Sequence, residues 1–316
     1  MEKIHVPKGT RDILDEEIVL WYRVENIVRT MASLFDYHEI RTPLFEHTEL
    51  FSRGVGEATD IVQKEMYTFT DKGGRSITLR PEGTAPVMRS FIEQGLYVSN
   101  PRIKWFYMGP MFRYERPQAG RMRQFHQFGF EALGYTSPAC DAEIIFLAWT
   151  IYQEIGLKNL TLEINNLGCH QCKPQYIEVL KQFLDSHREE LCENCRSRMD
   201  KNPLRILDCK EAGCQGVLHS SNFPVIQSYL CDDCRHHQDE LMDNLARTGV
   251  SVIINPYLVR GLDYYIKTAF EIKTGELGSQ DAIGGGGRYD HLSDTLGVKG
   301  IPGVGFAAGM ERIILL

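Results

Sequence analysis

The pattern of apolar and polar residues predicts a long amphipathic helix near the N-terminus. From residue 15 to residue 35 apolar side chains recur at alternating steps of three and four. They are Trp21, Val24, Val28, Met31 and Phe35. This spacing gathers them on one stripe of a helix, which we expect to pack against a sheet.

Residues 38–131 alternate as β-strands do. Segment 38–45 reads as extended, and its Pro43 suits the edge or end of a strand. Four further segments predict strands: 65–70, 75–80, 102–108 and 122–131. The first two flank Asp71-Lys72-Gly73-Gly74, which is a hairpin signal. We therefore expect residues 38–131 to form largely an antiparallel sheet.

The character of the chain changes after Leu160, where cysteines crowd a stretch with a helical segment at 174–190. Strand patterns resume at 252–254 and 264–272, and after four glycines a last strand-like segment leads into 307–316. The chain accordingly divides into predicted domains: a first core part (1–168), an inserted small cysteine-rich, mainly helical domain (169–250) and a second core part (251–316). Strands joined mostly by hairpins predict the α+β class.

Composition limits the class of protein and the number of domains. The 316 residues are 43% hydrophobic and 24% charged, as in globular proteins, and suggest about two domains. No apolar run approaches the roughly 18 residues of a membrane span, so we expect a soluble, cytoplasmic protein without membrane contact. The net charge of −7 argues against electrostatic binding of nucleic acid over the whole surface. It is compatible with a local basic patch.

Two nucleotide-binding motifs are excluded. The chain has no Gly-x-x-x-x-Gly-Lys-[Ser/Thr] sequence, and hence no P-loop. The glycines Gly303, Gly305 and Gly309 miss the dinucleotide fingerprint by one residue and come at the end of the chain, where no βαβ unit follows.

The densest chemistry lies in residues 109–131. Residues 113–123 hold four arginines and one glutamate, and guanidinium groups suit phosphate. We read the segment as a strand, a mobile loop and a return strand. On the return strand, alternation puts Gln127, Gly129 and Glu131 on one face, with Gln127 and Glu131 roughly 13 Å apart. The gap at Gly129 predicts room for a small polar ligand; the alternative is an ordinary solvated hairpin.

The cysteines predict metal binding independently. Eight of the nine form four chelating pairs: Cys169/Cys172, Cys192/Cys195, Cys209/Cys214 and Cys231/Cys234. Four pairs supply two tetrahedral sites of four thiolates each, which predicts two structural Zn²⁺ ions; the alternative is reduced, metal-free cysteine. Spacing does not decide which pairs share an ion. We expect the neighbouring pairs Cys192/Cys195 and Cys209/Cys214 to do so.

The motifs carry a family resemblance. Segment 109–131 resembles motif 2 of class II aminoacyl-tRNA synthetases, 303–312 resembles motif 3, and 39–43 with the preceding helix resembles motif 1, a dimer element. Four further segments resemble histidyl-tRNA synthetases: 7–12, 80–84, 258–265 and 285–290. This resemblance implies the class II antiparallel sheet flanked by helices, and a homodimer.

The resemblance also implies roles. ATP with Mg²⁺ would be bound by Arg113, Glu115, Arg121 and Arg312. Histidine would be bound by Glu82, Thr84, Arg113, Gln127, Glu131, Arg260, Tyr264, Tyr265 and Tyr289. Arg113 and Arg260 would be catalytic at the α-phosphate, and the acceptor end of the histidine tRNA would meet Arg116, Gln118 and Arg123.

The residue types suit these roles. A neutral imidazole offers one N–H and one lone pair, which a carboxylate at Glu131 and a hydroxyl at Tyr265 can read, while Glu82 suits the ammonium group. Plainer readings exist: Tyr264 and Tyr289 as core aromatics, His126 as a packing residue, and the four glycines as a flexible loop.

Two functions fit the sequence. The first is histidine activation with ATP and transfer to tRNA by a histidine–tRNA ligase. The second is the synthetase-like regulatory subunit of ATP phosphoribosyltransferase, which also lacks the anticodon-binding domain expected after Leu316. Such paralogues tend to lose catalytic positions, whereas Arg113, Gln127, Glu131, Arg260 and Arg312 are all present. We therefore expect the enzyme, with the anticodon-binding domain truncated.

Overall fold

The computed structural model describes residues 3–118, 120–277 and 281–316. In these residues the strands are β1 (His38–Glu39), β2 (Phe45–His47), β3 (Tyr67–Thr70), β4 (Ser76–Leu79), β5 (Ile103–Phe112), β6 (Gln124–Leu133), β7 (Leu160–Asn166), β8 (Val252–Ile254), β9 (Ile266–Thr274), β10 (Ala282–Arg288) and β11 (Gly303–Gly309). Eight of them form a sheet in the order β1-β5-β6-β11-β10-β9-β7-β8, and the others form a small sheet, β2-β4-β3. Pairing is antiparallel except for β1 with β5 and β7 with β8 at the two edges.

Helices cover the large sheet and fill its connections. They are α1 (Asp15–Leu34), α2 (Thr48–Val55), α3 (Thr84–Glu93), α4 (Leu96–Ser99), α5 (Pro138–Ile155), α6 (Lys173–Ser186), α7 (Glu193–Arg198), α8 (Ala212–Leu218), α9 (Asp232–Thr248), α10 (Leu292–Thr295) and α11 (Met310–Leu315). The predicted α+β class is confirmed. No helix in the described ranges is long and apolar enough to cross a membrane.

The predicted stripe of the first helix is confirmed and forms part of the main core. Trp21, Val24, Val28 and Met31 of α1 are buried in the same cluster as Phe128 and Phe130 of β6. Burial of each such side chain stabilises the fold by about 1.5–3 kcal/mol. This core occupies one face of the sheet. The opposite face of β6 carries Gln127 and Glu131 and packs Leu133 into a second apolar cluster.

The expectation of one antiparallel sheet over residues 38–131 is wrong in part. The predicted hairpin forms, but β3 and β4 join β2 in the separate small sheet. Helices α2, α3 and α4 lie between the strands. Phe51 and Val55 of α2 pack with Ala85 of α3. These helices are short, so their apolar periodicity is brief and tertiary packing decides their state.

The cysteine-rich segment builds its own buried cluster, which includes Tyr176, Leu180, Leu184 and five buried cysteines. Its last helix, α9, also reaches the main core, where Leu241 and Leu245 are buried. The domain boundaries at 168/169 and 250/251 stay predictions. The segment is attached to the sheet at the end of β7 and, through α9, beneath it.

Candidate functional site

Strand β6 forms the floor of the site. Gln127 and Glu131 lie on the face opposite to the buried Phe128 and Phe130, as alternation predicts. The gap predicted at Gly129 is not free. Tyr107 of β5 pairs with Gly129 across the strands, and its hydroxyl lies 2.3 Å from where a Cβ at Gly129 would stand. The glycine therefore makes room for a tyrosine ring of the protein itself.

The carboxyl group of Glu131 is the centre of a buried cluster of polar side chains, which we call the inner pocket and which also contains Glu82, Thr84 and Tyr289. It is 1% exposed, accepts a hydrogen bond from Thr84 Oγ1 at 2.6 Å, and accepts another from the Tyr289 hydroxyl. Burial raises the pKa of Glu131 to about 8, although the two donors act in the opposite direction. The pocket thus holds a carboxyl group that changes charge near physiological pH.

A second buried carboxylate, Glu82, caps helix α3. It accepts the backbone N–H groups of Thr84 at 2.7 Å and Ala85 at 2.9 Å, which are unpaired donors of the first helical turn. Burial nevertheless raises the pKa of Glu82. Helix α3 therefore fixes both Glu82 and the hydroxyl of Thr84 that reaches Glu131.

Several polar atoms of the pocket are buried without a hydrogen-bond partner among the described residues. They are the hydroxyls of Tyr107 and Tyr264, Oε1 of Gln127 and Nε of Arg260. Buried polar groups are normally paired, because leaving one unpaired costs about 1–3 kcal/mol. Tyr264 and Tyr265 are also in ring contact, at 4.6 Å between centroids. Donors and acceptors without partners here are suited to a small ligand with several polar groups.

An open cleft of about 190 Å³ shares Gln127 and Arg260 with this set of buried polar groups. Its walls bring together all four predicted ATP-binding residues, Arg113, Glu115, Arg121 and Arg312, and also Gln127 and Arg260. The guanidinium group of Arg113 lies over the ring of Phe125 and donates through Nε to the Pro81 carbonyl at 2.8 Å. Arg121 donates to Glu115 at 3.2 Å. Fixed guanidinium groups around one cleft provide a site for a polyphosphate.

The arginine from motif 3, Arg312, lies at the start of α11. It donates to the Ala282 carbonyl, and burial together with the nearby charge of Arg121 lowers its pKa. Gly120 of the loop approaches the same side chain, since a Cβ there would lie 3.0 Å from Arg312 Cγ. The mutual repulsion of Arg121 and Arg312 would be relieved by an anion between them.

The four glycines form strand β10, so the flexible-loop interpretation is wrong. Gly285 pairs with Glu271 of β9, and a Cβ at Gly285 would lie 2.8 Å from Arg260 Nη1. Arg260 donates through Nη1 to Glu271 Oε1 at 2.6 Å. The side-chain-free strand lets this guanidinium approach the sheet closely at the wall of the cleft.

The residues predicted for tRNA differ in their surroundings. Arg116 and Gln118 are exposed. Gln118 and Arg121 exchange backbone hydrogen bonds of 3.0 and 2.9 Å, which hold the two sides of the loop together. Ala119 lies outside the described residues. Arg123 is half-buried, with its guanidinium 3.8 Å from the centre of the Tyr114 ring and Nε donating to the Glu115 carbonyl.

Sequence reasoning missed three residues of the site: Tyr107, Glu271 and Glu311. Glu271 and Glu311 line the cleft, and Glu311 accepts the backbone N–H and Nδ1 of His126 at 2.9 Å. His126 also packs edge-on against Trp21 at 4.8 Å, on the helix side of β6. An acidic residue inside an otherwise apolar strand pattern, as at Glu271, was the available signal.

The eight paired cysteines lie in two groups in the part of the chain that the structure describes. One contains Cys169, Cys172, Cys231 and Cys234; the other contains Cys192, Cys195, Cys209 and Cys214. Within each group all sulfurs lie within 4.8 Å of one another, and the closest measured separations are 3.7–3.9 Å. Backbone N–H groups of Cys169 and Cys192 point at sulfurs of Cys172 and Cys214, both at 3.2 Å.

The chain is similar to known proteins in both sequence and fold. The family profile of histidyl-tRNA synthetase matches residues 9–313. A histidine–tRNA ligase of Halothermothrix orenii is 55% identical over 312 residues, which are 99% of this chain and 74% of that protein. The apo crystal structure of S. aureus histidyl-tRNA synthetase superimposes with a TM-score of 0.79 at 39% identity, over 99% of this chain and 73% of that one.

A more distant structure shares the fold. It is described as an ATP phosphoribosyltransferase regulatory subunit/histidyl-tRNA synthetase from Bacillus halodurans C, and it matches with a TM-score of 0.73 at 21% identity. The match covers 100% of this chain and 83% of that one. At this identity the likeness extends to the architecture alone.

Proposed function

Because the chain belongs to the histidyl-tRNA synthetase family, we propose that its cleft activates histidine with ATP and that its exposed loop then receives the acceptor end of the histidine tRNA. The chain is a class II aminoacyl-tRNA synthetase in this reading, and its activity is histidine–tRNA ligation. The observation that carries the proposal is the continuity of the two compartments. Gln127 and Arg260 belong both to the arginine-lined cleft and to the set of buried polar atoms without partners.

The chemistry follows from this placement. A carboxylate oxygen of histidine attacks the α-phosphorus of ATP, the bond from that phosphorus to the bridging oxygen breaks, and pyrophosphate leaves. Arg113 and Arg260 neutralise charge at the α-phosphate, and Arg121 and Arg312 hold the outer phosphates. In-line displacement needs positioning and charge neutralisation more than covalent help, which fixed guanidinium groups supply.

Mg²⁺ fits the same cleft, because hard cations prefer oxygen ligands and bind through one or two carboxylates plus phosphates. Glu115, Glu271 and Glu311 line the cleft, and each is held by a hydrogen bond from Arg121, Arg260 or His126. These carboxylates would hold the ion. When bound, Mg²⁺ supplies further neutralisation of the phosphates.

Histidine recognition is assigned to the inner pocket. Glu131 reads one ring nitrogen of the imidazole, and a tyrosine hydroxyl, that of Tyr264 or Tyr265, reads the other. Glu82 faces the ammonium group, and Thr84 and Tyr289 hold Glu131 in place. Amino acids without both imidazole nitrogens would leave buried groups unpaired, which gives strong discrimination.

We also propose two structural Zn²⁺ ions. Four sulfurs about 2.3 Å from a central zinc form a tetrahedron with edges of about 3.8 Å. The closest sulfur separations here are 3.7–3.9 Å, far longer than a disulfide of about 2.05 Å. The N–H groups directed at sulfur are typical supports of metal thiolates. Closed sites of this kind contribute folding of the segment rather than catalysis.

A cytoplasmic homodimer completes the proposal. Free thiols suit a reducing compartment. Helix α1 turns Val19, Leu20 and Tyr22 outward, and Phe45 and Phe69 of the small sheet are exposed as well. A second copy of the chain would cover these apolar side chains, and sedimentation should give twice the chain mass of 36.2 kDa.

The decisive test is ATP–pyrophosphate exchange by the purified chain with Mg²⁺ and a panel of amino acids. We expect exchange with histidine only. Absence of exchange by a folded, dimeric chain would contradict the enzyme and favour the regulatory-subunit function.

A further inference from the structure

Strand β9 contains a backbone irregularity next to the histidine pocket. Lys267 has a φ of +47°, in the left-handed region that residues other than glycine rarely adopt. Around it the pairing with β10 shifts, from Gly287 opposite Ala269 to Arg288 opposite Ile266. Lys267 and Thr268 thus form a bulge. Strain of this kind persists only where surrounding contacts impose it.

The cysteine-rich segment and the two residues that precede it supply those contacts. Lys267 donates its N–H to the Gly168 carbonyl at 2.9 Å and accepts from the Leu167 N–H at 2.7 Å. Its ammonium group lies 2.7 Å from Asp233, between Cys231 and Cys234 in sequence. Lys173, next to Cys172, reaches the Tyr265 carbonyl at 3.4 Å. The bulge therefore contacts chain segments next to both cysteine pairs of one group, Cys169/Cys172 and Cys231/Cys234.

A buried carboxylate holds the bulge from beneath the sheet. Asp141 of α5 is 0% exposed and accepts from Thr268 Oγ1 at 2.6 Å, from Arg288 through Nε and Nη2, and is 3.0 Å from His237 Nε2. A buried ion pair adds little net stability compared with apolar packing, but breaking it is costly. Its effect here is to fix α5, α9, β9 and β10 relative to one another.

The bulge and Arg288 lie close in sequence to two residues of the histidine pocket. Tyr265 precedes the bulge by two positions, and Tyr289 follows Arg288. Asp290 accepts from Arg288 Nη1 at 3.0 Å and from the Gly303 N–H at 3.1 Å, and the Tyr289 N–H donates to the Gly303 carbonyl at 2.8 Å. Bulges commonly re-aim side chains next to functional sites.

We propose that Thr268 and Asp141 are positioning residues for histidine recognition, because they lock the Lys267 bulge and Arg288 and so set the positions of Tyr265 and Tyr289. The inference rests on the proposed function of the pocket. It gives the cysteine-rich segment a role in amino acid binding, although no cysteine lines the pocket among the described residues.

The test compares two threonines of the same strand with the same burial. Thr268→Val removes one donor to Asp141, and Thr274→Val is the matched control, since both threonines are 2% exposed and Thr274 lies at the far end of β9. By calorimetry, Thr268→Val should weaken histidine binding about tenfold, as expected for a lost hydrogen bond to a charged group. The KM for ATP should stay unchanged, Thr268→Ser should restore histidine binding, and Thr274→Val should bind as the wild type does.

A second variant tests the same proposal in case Thr268→Val does not fold. Lys267→Gly relieves the left-handed strain and also removes the ion pair with Asp233, so the protein should still fold while the bulge gains freedom. Asn159→Gly is its control, because Asn159 also has a positive φ, +53°, away from the pocket. Lys267→Gly should weaken histidine binding and speed amide exchange at Tyr265 and Tyr289; Asn159→Gly should do neither.

The outcomes separate the two ideas. If the wild type binds histidine but Thr268→Val behaves like Thr274→Val, or raises the KM for ATP as much as that for histidine, the positioning role is wrong. A folded wild type that binds no histidine contradicts the proposed function of the pocket, and the histidine role of Thr268 falls with it.

Discussion

Arg260 Nη1 donates to Glu271 Oε1 at 2.6 Å, while Nε of the same guanidinium is buried without a partner among the described residues. One edge of the group is thus held by β9, and another donor remains for a ligand in the cleft. A donor fixed in advance costs no reorganisation when charge develops in the transition state.

The first prediction concerns this donor. Arg260→Ala should lower the rate of histidine-dependent pyrophosphate exchange by about two to three powers of ten, since one such donor contributes about 3–4 kcal/mol. Arg53→Ala, which removes an exposed arginine paired with Glu49 on α2, is the control and should exchange normally. An unchanged rate in Arg260→Ala would remove Arg260 from catalysis.

The second prediction concerns pH. Because burial raises the folded-state pKa of Glu131 from 4.5 to about 8, the folded protein holds a proton there that the unfolded chain has released. Protonated Glu131 therefore makes its full contribution to the free energy of unfolding below about pH 4.5, and this contribution is lost as the pH rises through 8. Glu131→Gln, which cannot ionise, should unfold like the wild type at low pH and become progressively more stable than it towards pH 8.

Denaturation of the ligand-free protein at several pH values measures this difference. Glu93→Gln, at an exposed carboxylate of α3, should show no such trend relative to the wild type. Parallel stability curves for Glu131→Gln and the wild type would show that folding does not raise the pKa of Glu131. Glu131→Gln should also lose histidine-dependent pyrophosphate exchange.

The third prediction concerns metal content. Elemental analysis of protein purified without chelator should find about two zinc ions per chain, because eight thiolates form two closed tetrahedra. Replacing Cys192 and Cys209 together by serine should leave about one ion, whereas Cys140→Ser should retain both. Cys140 is the matched control, since it is buried and belongs to neither group. Less than one equivalent in the wild type would contradict the zinc assignment.

The sequence predicts those parts of the molecule that depend on local periodicity. The stripe of α1 and the alternating faces of β6 are examples, because the spacing of side chains along one element decides which face is buried. The sequence also predicts the change of character at the cysteine-rich segment. The small sheet and α2 to α4 were missed because short elements carry too few periods to identify.

Relationships between strands could not be predicted from the sequence. Tyr107 fills the space at Gly129 because β5 and β6 pair in that register, and Arg260 meets Glu271 across the glycine strand. The link from Asp141 to Thr268 joins residues 127 positions apart. Such contacts depend on register and packing, which periodicity along one segment does not encode.

The last prediction concerns the loop between β5 and β6. Arg123 is engaged with Tyr114 and Glu115, whereas Gln118 and Arg116 are exposed. Gln118→Ala should therefore slow transfer of histidine to tRNA without changing pyrophosphate exchange, since its side chain lies outside the cleft walls. Because we expect the loop to contact few phosphates, the logarithm of the tRNA affinity should fall with the logarithm of the salt concentration at a slope of roughly two to four. Arg116→Ala should reduce that slope by about one. Arg188→Ala, at an exposed arginine in the cysteine-rich segment, is the control. If Gln118→Ala lowered exchange and transfer together, the loop would act on histidine activation in the cleft rather than on the acceptor end of the tRNA.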